Sequence, residues 1–348
     1  MYSFKNDYSE GAHPRILETL LKTNLEQSEG YGKDTYCEEA EKLIQGKLNN
    51  QDVDVHFISG GTQTNLIAIS AFLRPYEGVI SANTGHIFVN EAGSIEATGH
   101  KVISVDVEDG KLRKDDIALT LNKFINEHVV KPKLVYISNS TEIGTIYTKA
   151  ELEGLNEICR ENNLLLFMDG ARLGSALSCK ENDLTLEEIS RLTDAFYIGG
   201  TKNGALLGEA LVICNKDLQG DFRYNLKQKG AMLAKGRLLG IQFMELFKND
   251  LFFEIGKHEN DMADILRDGI SKLGYEFLVN SPSNQIFPIL NNDVLEKLKE
   301  NYGYSVWEKI DEEKTCIRLV TSFATREDAC LEFVEDLAKI FDNRGNNN

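Results

Sequence analysis

The chain has 348 residues, of which 42% are hydrophobic, and a formal net charge of -17. That length can bury a large core and divides into a main domain and a smaller one; the acidic balance, with no basic block, excludes nucleic acid and anionic membrane surfaces as expected partners. The six cysteines (Cys37, Cys159, Cys179, Cys214, Cys316 and Cys330) are too scattered for a disulfide framework or a metal site, and no signal core or bilayer-length apolar run is present, so a cytoplasmic enzyme is expected.

Residues 16–25 and 37–48 carry helical spacing, and between them Gly30-Tyr31-Gly32 reads as a loop, suited to a lid or to a simple turn. The run 53–59 reads as a strand entering Gly60-Gly61-Thr62-Gln63-Thr64-Asn65, with a helix after it. Glycines let backbone N–H groups approach an anion, and a helix amino terminus adds a favourable dipole. His86 follows the turn Asn83-Thr84-Gly85, where a histidine serves as a cap or as a ring partner. Short strands are predicted at 79–81, 101–105 and 134–138.

The apolar run 164–168 reads as a buried strand ending in Asp169-Gly170-Ala171-Arg172, and 195–198 as another ending in Gly199-Gly200-Thr201-Lys202. Ligands of open α/β sheets bind at that carboxyl edge. An aspartate and a lysine at the ends of two successive strands suit pyridoxal phosphate (PLP), whose aldehyde forms a Schiff base with lysine and whose ring nitrogen needs an anionic partner. Asp169 also suits a helix cap, and Lys202 an ordinary loop.

A further strand is predicted at 211–214. From about residue 222 one long helical region runs through Met232, Leu239, Phe243 and Leu246. Strands follow at 287–290 and 316–320, a helix at 327–341, and a disordered tail at 343–348. Arg318 sits inside its apolar strand, where an anion would offset burial unless alternation turns it to water. The repeated strand-helix order argues for a mostly parallel sheet.

Taken together, Ser59 to Asn65, His86 to Gly93, Asp169 to Leu173, Ile198 to Lys202 and Ile317 to Ser322 resemble, in order and over nearly the whole chain, the threonine aldolase and β-eliminating lyase family of PLP enzymes. The resemblance implies an α/β, PLP-dependent transferase-like fold of type I. Its mixed, mostly parallel sheet, with the strand at 211–214 antiparallel, would lie in a large domain at 26–245, after an amino-terminal segment at 1–25, with a smaller α+β domain at 246–342. A homodimer or homotetramer with the active site near the subunit interface is implied as well.

The resemblance assigns Lys202 to the Schiff base, Asp169 to the ring nitrogen and His86 to the ring face with a role in proton handling. It places Gly60, Gly61, Thr62, Asn65, Asn139, Thr201 and Lys229 around the cofactor, and Arg172 near both cofactor and substrate. Arg318, Tyr31 and Asn6 would contact a small amino-acid substrate, Asn6 standing where relatives carry a serine. Relatives often place a histidine on the substrate hydroxyl in the loop after residues 134–138; here Thr141 stands near that place. The implied reaction is retro-aldol cleavage of a β-hydroxy amino acid, threonine or allo-threonine giving glycine and acetaldehyde. β-Elimination or transamination on the same scaffold is the alternative, and the base that takes the hydroxyl proton, His86 or a water, stays open.

Overall fold

The computed structural model describes residues 1–345. Seven strands build the central sheet: β1 Asp54–Ile58, β2 Glu77–Ala82, β3 Val102–Val105, β4 Lys131–Ser138, β5 Leu165–Asp169, β6 Ala195–Gly199 and β7 Glu209–Ile213, in the spatial order β1-β7-β6-β5-β4-β2-β3. The pairs from β3 through β6 are parallel, and β7 alone runs antiparallel, pairing with β6 and β1. This is the mixed, mostly parallel sheet expected, with the predicted antiparallel strand in its place.

Every residue of β2, β5, β6 and β7 is buried, and for β5 and β6 this explains why the sequence reads as continuous apolar runs. Alternation sends Val135, Ile137, Leu166, Met168, Phe196 and Ile198 into one core. Leu134, Tyr136, Leu165, Phe167, Ala195 and Tyr197 enter the other, on the opposite face. Each buried Val, Leu, Ile or Phe side chain contributes about 1.5–3 kcal/mol. The register pairs Ser138 with Asp169 and Gly199 with Glu209, so the carboxyl ends of β4, β5 and β6 emerge side by side.

The helical region expected from residue 222 is broken. Phe222–Gln228 ends before Gly230, whose φ of 73° terminates it, and Arg237–Phe247 begins a new helix. Left-handed Asn249 and Asp250 then separate that helix from the 22-residue Leu251–Lys272. Apolar periodicity carries across these turns because the segments on either side bury their apolar faces in shared cores, which hides the breaks from the pattern. The strand expected at 287–290 is likewise two short ones, Gln285–Ile286 and Ile289–Asn291, interrupted at Pro288, which has no N–H to give.

A second, antiparallel sheet is centred on Lys314–Val320, which pairs with Ile289–Asn291, Ser305–Lys309 and Gln285–Ile286. Its own core includes Phe4, Met262, Leu266, Ile270, Ile317, Leu319, Phe333 and Leu337. The amino terminus belongs to this region, since Tyr2–Ser3 pairs with Tyr302–Gly303 and Val320 N donates to Phe4 O at 2.8 Å. The last helix, Glu327–Gly345, runs past the expected end at 341. The tail expected at 343–348 is therefore helical through 345 and otherwise outside the described residues. No described helix is long and apolar enough to cross a membrane.

The Leu251–Lys272 helix crosses Leu173–Ser178 so closely that a Cβ on Gly256 would lie 2.2 Å from Gly174 O. Gly256→Ala should therefore lower stability by about 1–3 kcal/mol, read as a lower urea midpoint at unchanged slope. Gly154, inside Lys149–Glu161, has nothing within 4 Å of its Cβ position. Gly154→Ala should instead raise stability by about 0.8–1.0 kcal/mol in the same experiment.

Candidate active site

Asp169, the last residue of β5, is 3% exposed. Its Oδ2 accepts hydrogen bonds from the Tyr136 hydroxyl and from Asn65 Nδ2 at 3.1 Å, and its Oδ1 accepts from Ala171 N at 3.0 Å. Burial alone would raise its pKa; His86, Tyr136 and Tyr197 more than offset that and hold the carboxyl below its usual range. Asn65, expected near a phosphate, spends its amide differently: its nitrogen bridges Asp169 and Glu91 Oε1, the latter at 2.8 Å. Glu91 is itself buried, which pushes its pKa up to about 7.

The turn carrying Lys202 packs main chain to main chain against the turn carrying Asp169. A Cβ on Gly170 would lie 1.9 Å from Tyr197 O, and one on Gly199 would lie 2.3 Å from Ala171 O. Gly199 N donates to Gly170 O at 2.9 Å across that contact. Glu209, at the start of β7, clamps the turn from below, accepting from Gly200 N at 3.0 Å and from the Thr201 hydroxyl at 2.9 Å. Thr201, expected at the cofactor, has thus committed its proton to Glu209. Burial pushes the Glu209 carboxyl up to about 8.

Lys202 itself is half-buried, and its ammonium has no hydrogen-bond or ion-pair partner among the described residues. Burial lowers its pKa, and the Arg172 guanidinium lowers it further, against the pull of Asp7, Asp169 and Glu209. The amine is therefore drawn toward its neutral, nucleophilic form.

Two guanidinium groups converge nearby. Arg172 grips Asp7 through Nε at 2.6 Å and Nη2 at 3.0 Å, and Asn284 Nδ2 supports the same carboxylate at 3.1 Å. Arg318 lies with its guanidinium 5.5 Å from the Trp307 ring centroid, and its buried Nε has no partner. The residue is half-buried rather than turned fully to water. Burial and then Arg172 lower its pKa, against the pull of Asp7. Asn6 differs from expectation in its neighbour's favour: its Oδ1 caps its own turn at Tyr8 N and Ser9 Oγ, while Asp7 reaches the site.

His86 begins the short helix His86–Val89, and its backbone N donates to Glu142 Oε1 at 3.0 Å. Burial pushes the imidazole pKa down, against the pull of Asp169. Asn139 is fully buried, its N bonded to Asp169 O at 2.9 Å and its Oδ1 accepting from Tyr147 N at 3.3 Å. Its Nδ2 and the Ser140 hydroxyl are buried without partners. Thr141 is buried too, its hydroxyl paired with that of Thr145 at 2.7 Å.

The helix Gly61–Phe72 opens at Gly60, which provides no side-chain cap. Its first backbone bond is Thr64 N to Gly60 O at 3.0 Å, and a Cβ on Gly60 would meet nothing within 4 Å. The amides of Gly61 and Thr62 have no hydrogen-bond partner among the described residues, and Thr62 is exposed. Lys229 lies alongside, its carbonyl accepting from Gln63 Nε2 at 3.3 Å. Tyr31 is apart from this cluster, with Lys227 Nζ 4.6 Å from its ring centroid and its carbonyl bonded to Arg223.

Four contributors escaped the sequence reading. Tyr136 is hidden in an apolar strand; Asp7 sits one residue from Asn6. Glu209 and Glu142 had a usable signal, being single acids in an otherwise apolar strand and in a loop of small residues.

The β-eliminating lyase family model matches residues 10–292. A low specificity L-threonine aldolase of Pseudomonas sp. (strain NCIMB 10558) is 30% identical over 343 residues, covering 97% of this chain and 97% of that protein. The solved structure of Leishmania major threonine aldolase superposes with a TM-score of 0.97 at 52% identity, covering 98% of this chain and 100% of its own. A Thermus thermophilus aspartate aminotransferase double mutant, 13% identical, covers 98% of this chain and 91% of its own at a TM-score of 0.71, and shares the fold. A family model that spans most of the chain, joined to a full-length relative, places the chain in the β-eliminating lyase family.

Proposed function

We propose that this protein is a pyridoxal-phosphate-dependent lyase that cleaves the Cα–Cβ bond of β-hydroxy amino acids, converting threonine or allo-threonine to glycine and acetaldehyde. The observation that carries the reading is the unpaired, half-buried Lys202 amine beside a buried carboxylate held ionised. The similarity to threonine aldolases over the whole chain supports the choice of substrate.

The residues fit the cofactor. Asp169 suits a protonated ring nitrogen, and the uncapped helix start at Gly60 to Thr62, with Lys229 beside it, suits a phosphate. The orphaned Asn139 Nδ2 suits a ring oxygen, and Lys202 a covalent link. The bound cofactor supplies an electron sink for the pair released at Cα. Arg318, through its unpartnered Nε, and Arg172, through the nitrogen it does not spend on Asp7, bind the substrate carboxylate and fix which Cα bond breaks. His86 covers the ring face, and the Lys202 amine, kept from full protonation by burial and Arg172, moves protons at Cα. Assembly as a homodimer or homotetramer in the cytoplasm belongs to the same reading, with Tyr31 at the interface.

Incubating the purified protein with PLP and L-threonine, allo-threonine and other amino acids should yield glycine and aldehyde in equal amounts. Pyruvate with ammonia, and no glycine, would instead establish β-elimination. Lys202→Ala should remain folded, lose the visible absorbance of covalently held cofactor after gel filtration, and lose turnover by roughly 10²–10⁴-fold. Arg318→Lys keeps the charge but not the planar fork, so kcat/KM should fall by about 10–100-fold, mostly through KM. An unchanged KM would place the carboxylate elsewhere.

A further inference from the structure

We propose that Glu142 is the base that takes the β-hydroxyl proton of the substrate. The inference rests on the aldolase reading above.

Glu142 follows β4 in the loop that begins with Asn139, beside Asp169. One carboxylate oxygen is fully engaged: Oε1 accepts from the Ser138 hydroxyl at 2.8 Å and from His86 N at 3.0 Å. Both donors belong to residues at the mouth of the site. The second oxygen, Oε2, has no hydrogen-bond partner from any other described residue and is not sealed from solvent, since it is absent from the buried orphans that include Ser140 Oγ and Asn139 Nδ2. A carboxylate pinned by one oxygen with the other free is the geometry of a positioned base.

Its surroundings tune it. Burial and Asp169 push the carboxyl up to about 7, while Ser138, its own backbone and Lys202 restrain it. Arg172 from the turn after β5, Tyr136 on β4 and Tyr147 beyond the loop are the other charged or titratable groups that face it. A base of that strength is about half ionised at neutral pH, where its ionised form remains basic. The rivals are less available. The Thr141 hydroxyl is occupied by Thr145, and burial keeps the His86 imidazole a weak base whose nearest anionic influence is Asp169.

The step balances. Glu142 Oε2 receives the hydroxyl proton, the O–H pair becomes the second bond of the aldehyde C=O, and the Cα–Cβ pair passes to Cα. One proton is then delivered to Cα, giving glycine and aldehyde with no net gain of protons or electrons. Exchange of the glycine Cα proton with solvent uses no hydroxyl and does not need Glu142.

Glu142→Gln keeps an oxygen for Ser138 and His86 but cannot accept the proton. It should cut kcat/KM for L-threonine roughly 10²–10⁴-fold. Cofactor absorbance should be retained, and deuterium exchange at glycine Cα should stay within about tenfold of the parent protein. The parent's acid limb in kcat/KM, near pH 7, should vanish in the residual activity. In the cofactor-free protein, the infrared carboxyl absorption that titrates near pH 7 should shrink by one group on the same substitution, the remainder belonging to Glu91. Ser138→Ala removes a donor that stabilises the charged form, so the acid limb should move to higher pH without loss of cofactor. Wild-type cleavage by Glu142→Gln, an equal loss of cleavage and glycine exchange, or an unmoved limb in Ser138→Ala would each overturn the assignment. Failure of the parent protein to form glycine from any β-hydroxy amino acid would overturn the aldolase reading itself, and this one with it.

Discussion

The site depends on keeping one carboxylate ionised at the end of a strand buried on both faces. An isolated buried anion costs several kcal/mol, so Asp169 needs donors from several elements at once. Tyr136 supplies one from β4, Ala171 one from the turn beyond β5, and Asn65 one from the helix after β1. Asn65 in turn is held by buried Glu91, so the support reaches a third layer of residues. The sheet register that sets Ser138 beside Asp169 therefore also positions the Asn139 loop.

Around that anion the charges are distributed so that none is fully compensated except where the fold requires it. Arg172 and Asp7 satisfy one another in a two-pronged pair, which joins the amino terminus to the turn after β5. Lys202 and the Nε of Arg318 are left without partners, and both have depressed pKa values for the same reasons, burial and the proximity of Arg172. Strain and unmet polar groups of this kind concentrate where a ligand completes the network. The amino-terminal segment reaches the site because Phe4 is anchored in the core of the smaller sheet, three residues before Asp7.

The glycines around Lys202 serve proximity more than mobility. Gly170 and Gly199 allow the Asp169 and Lys202 turns to touch through their main chains, with no room for a Cβ on either. Gly204, at a φ of 82°, turns the chain back toward β7, where Glu209 grips the residues just before the lysine. A flexible turn would leave the amine free to find a partner; this one holds it away from them.

Local pattern was enough for much of the protein. Continuous apolar runs marked β5 and β6, and the polar residues that end them, Asp169, Arg172 and Lys202, stood out because nothing apolar could explain them. The glycine-rich entry to the helix at Gly61 was equally plain. Breaks in the helical region after residue 222 were invisible, because the apolar period continues through turns whose flanks bury into shared cores. Partners in space were the other gap. That Asn65 supports Asp169, that Thr201 serves Glu209, and that Asp7 rather than Asn6 meets Arg172 depend on side chains brought together from opposite ends of the chain. Glu142 belongs with these: its sequence neighbours say only that a loop contains an acid, and what aims one of its oxygens is a hydroxyl from β4 and an amide from His86. Covalent order determined which groups were present at the strand ends; long-range packing and desolvation decided which of them are paired, and so which remain free to react.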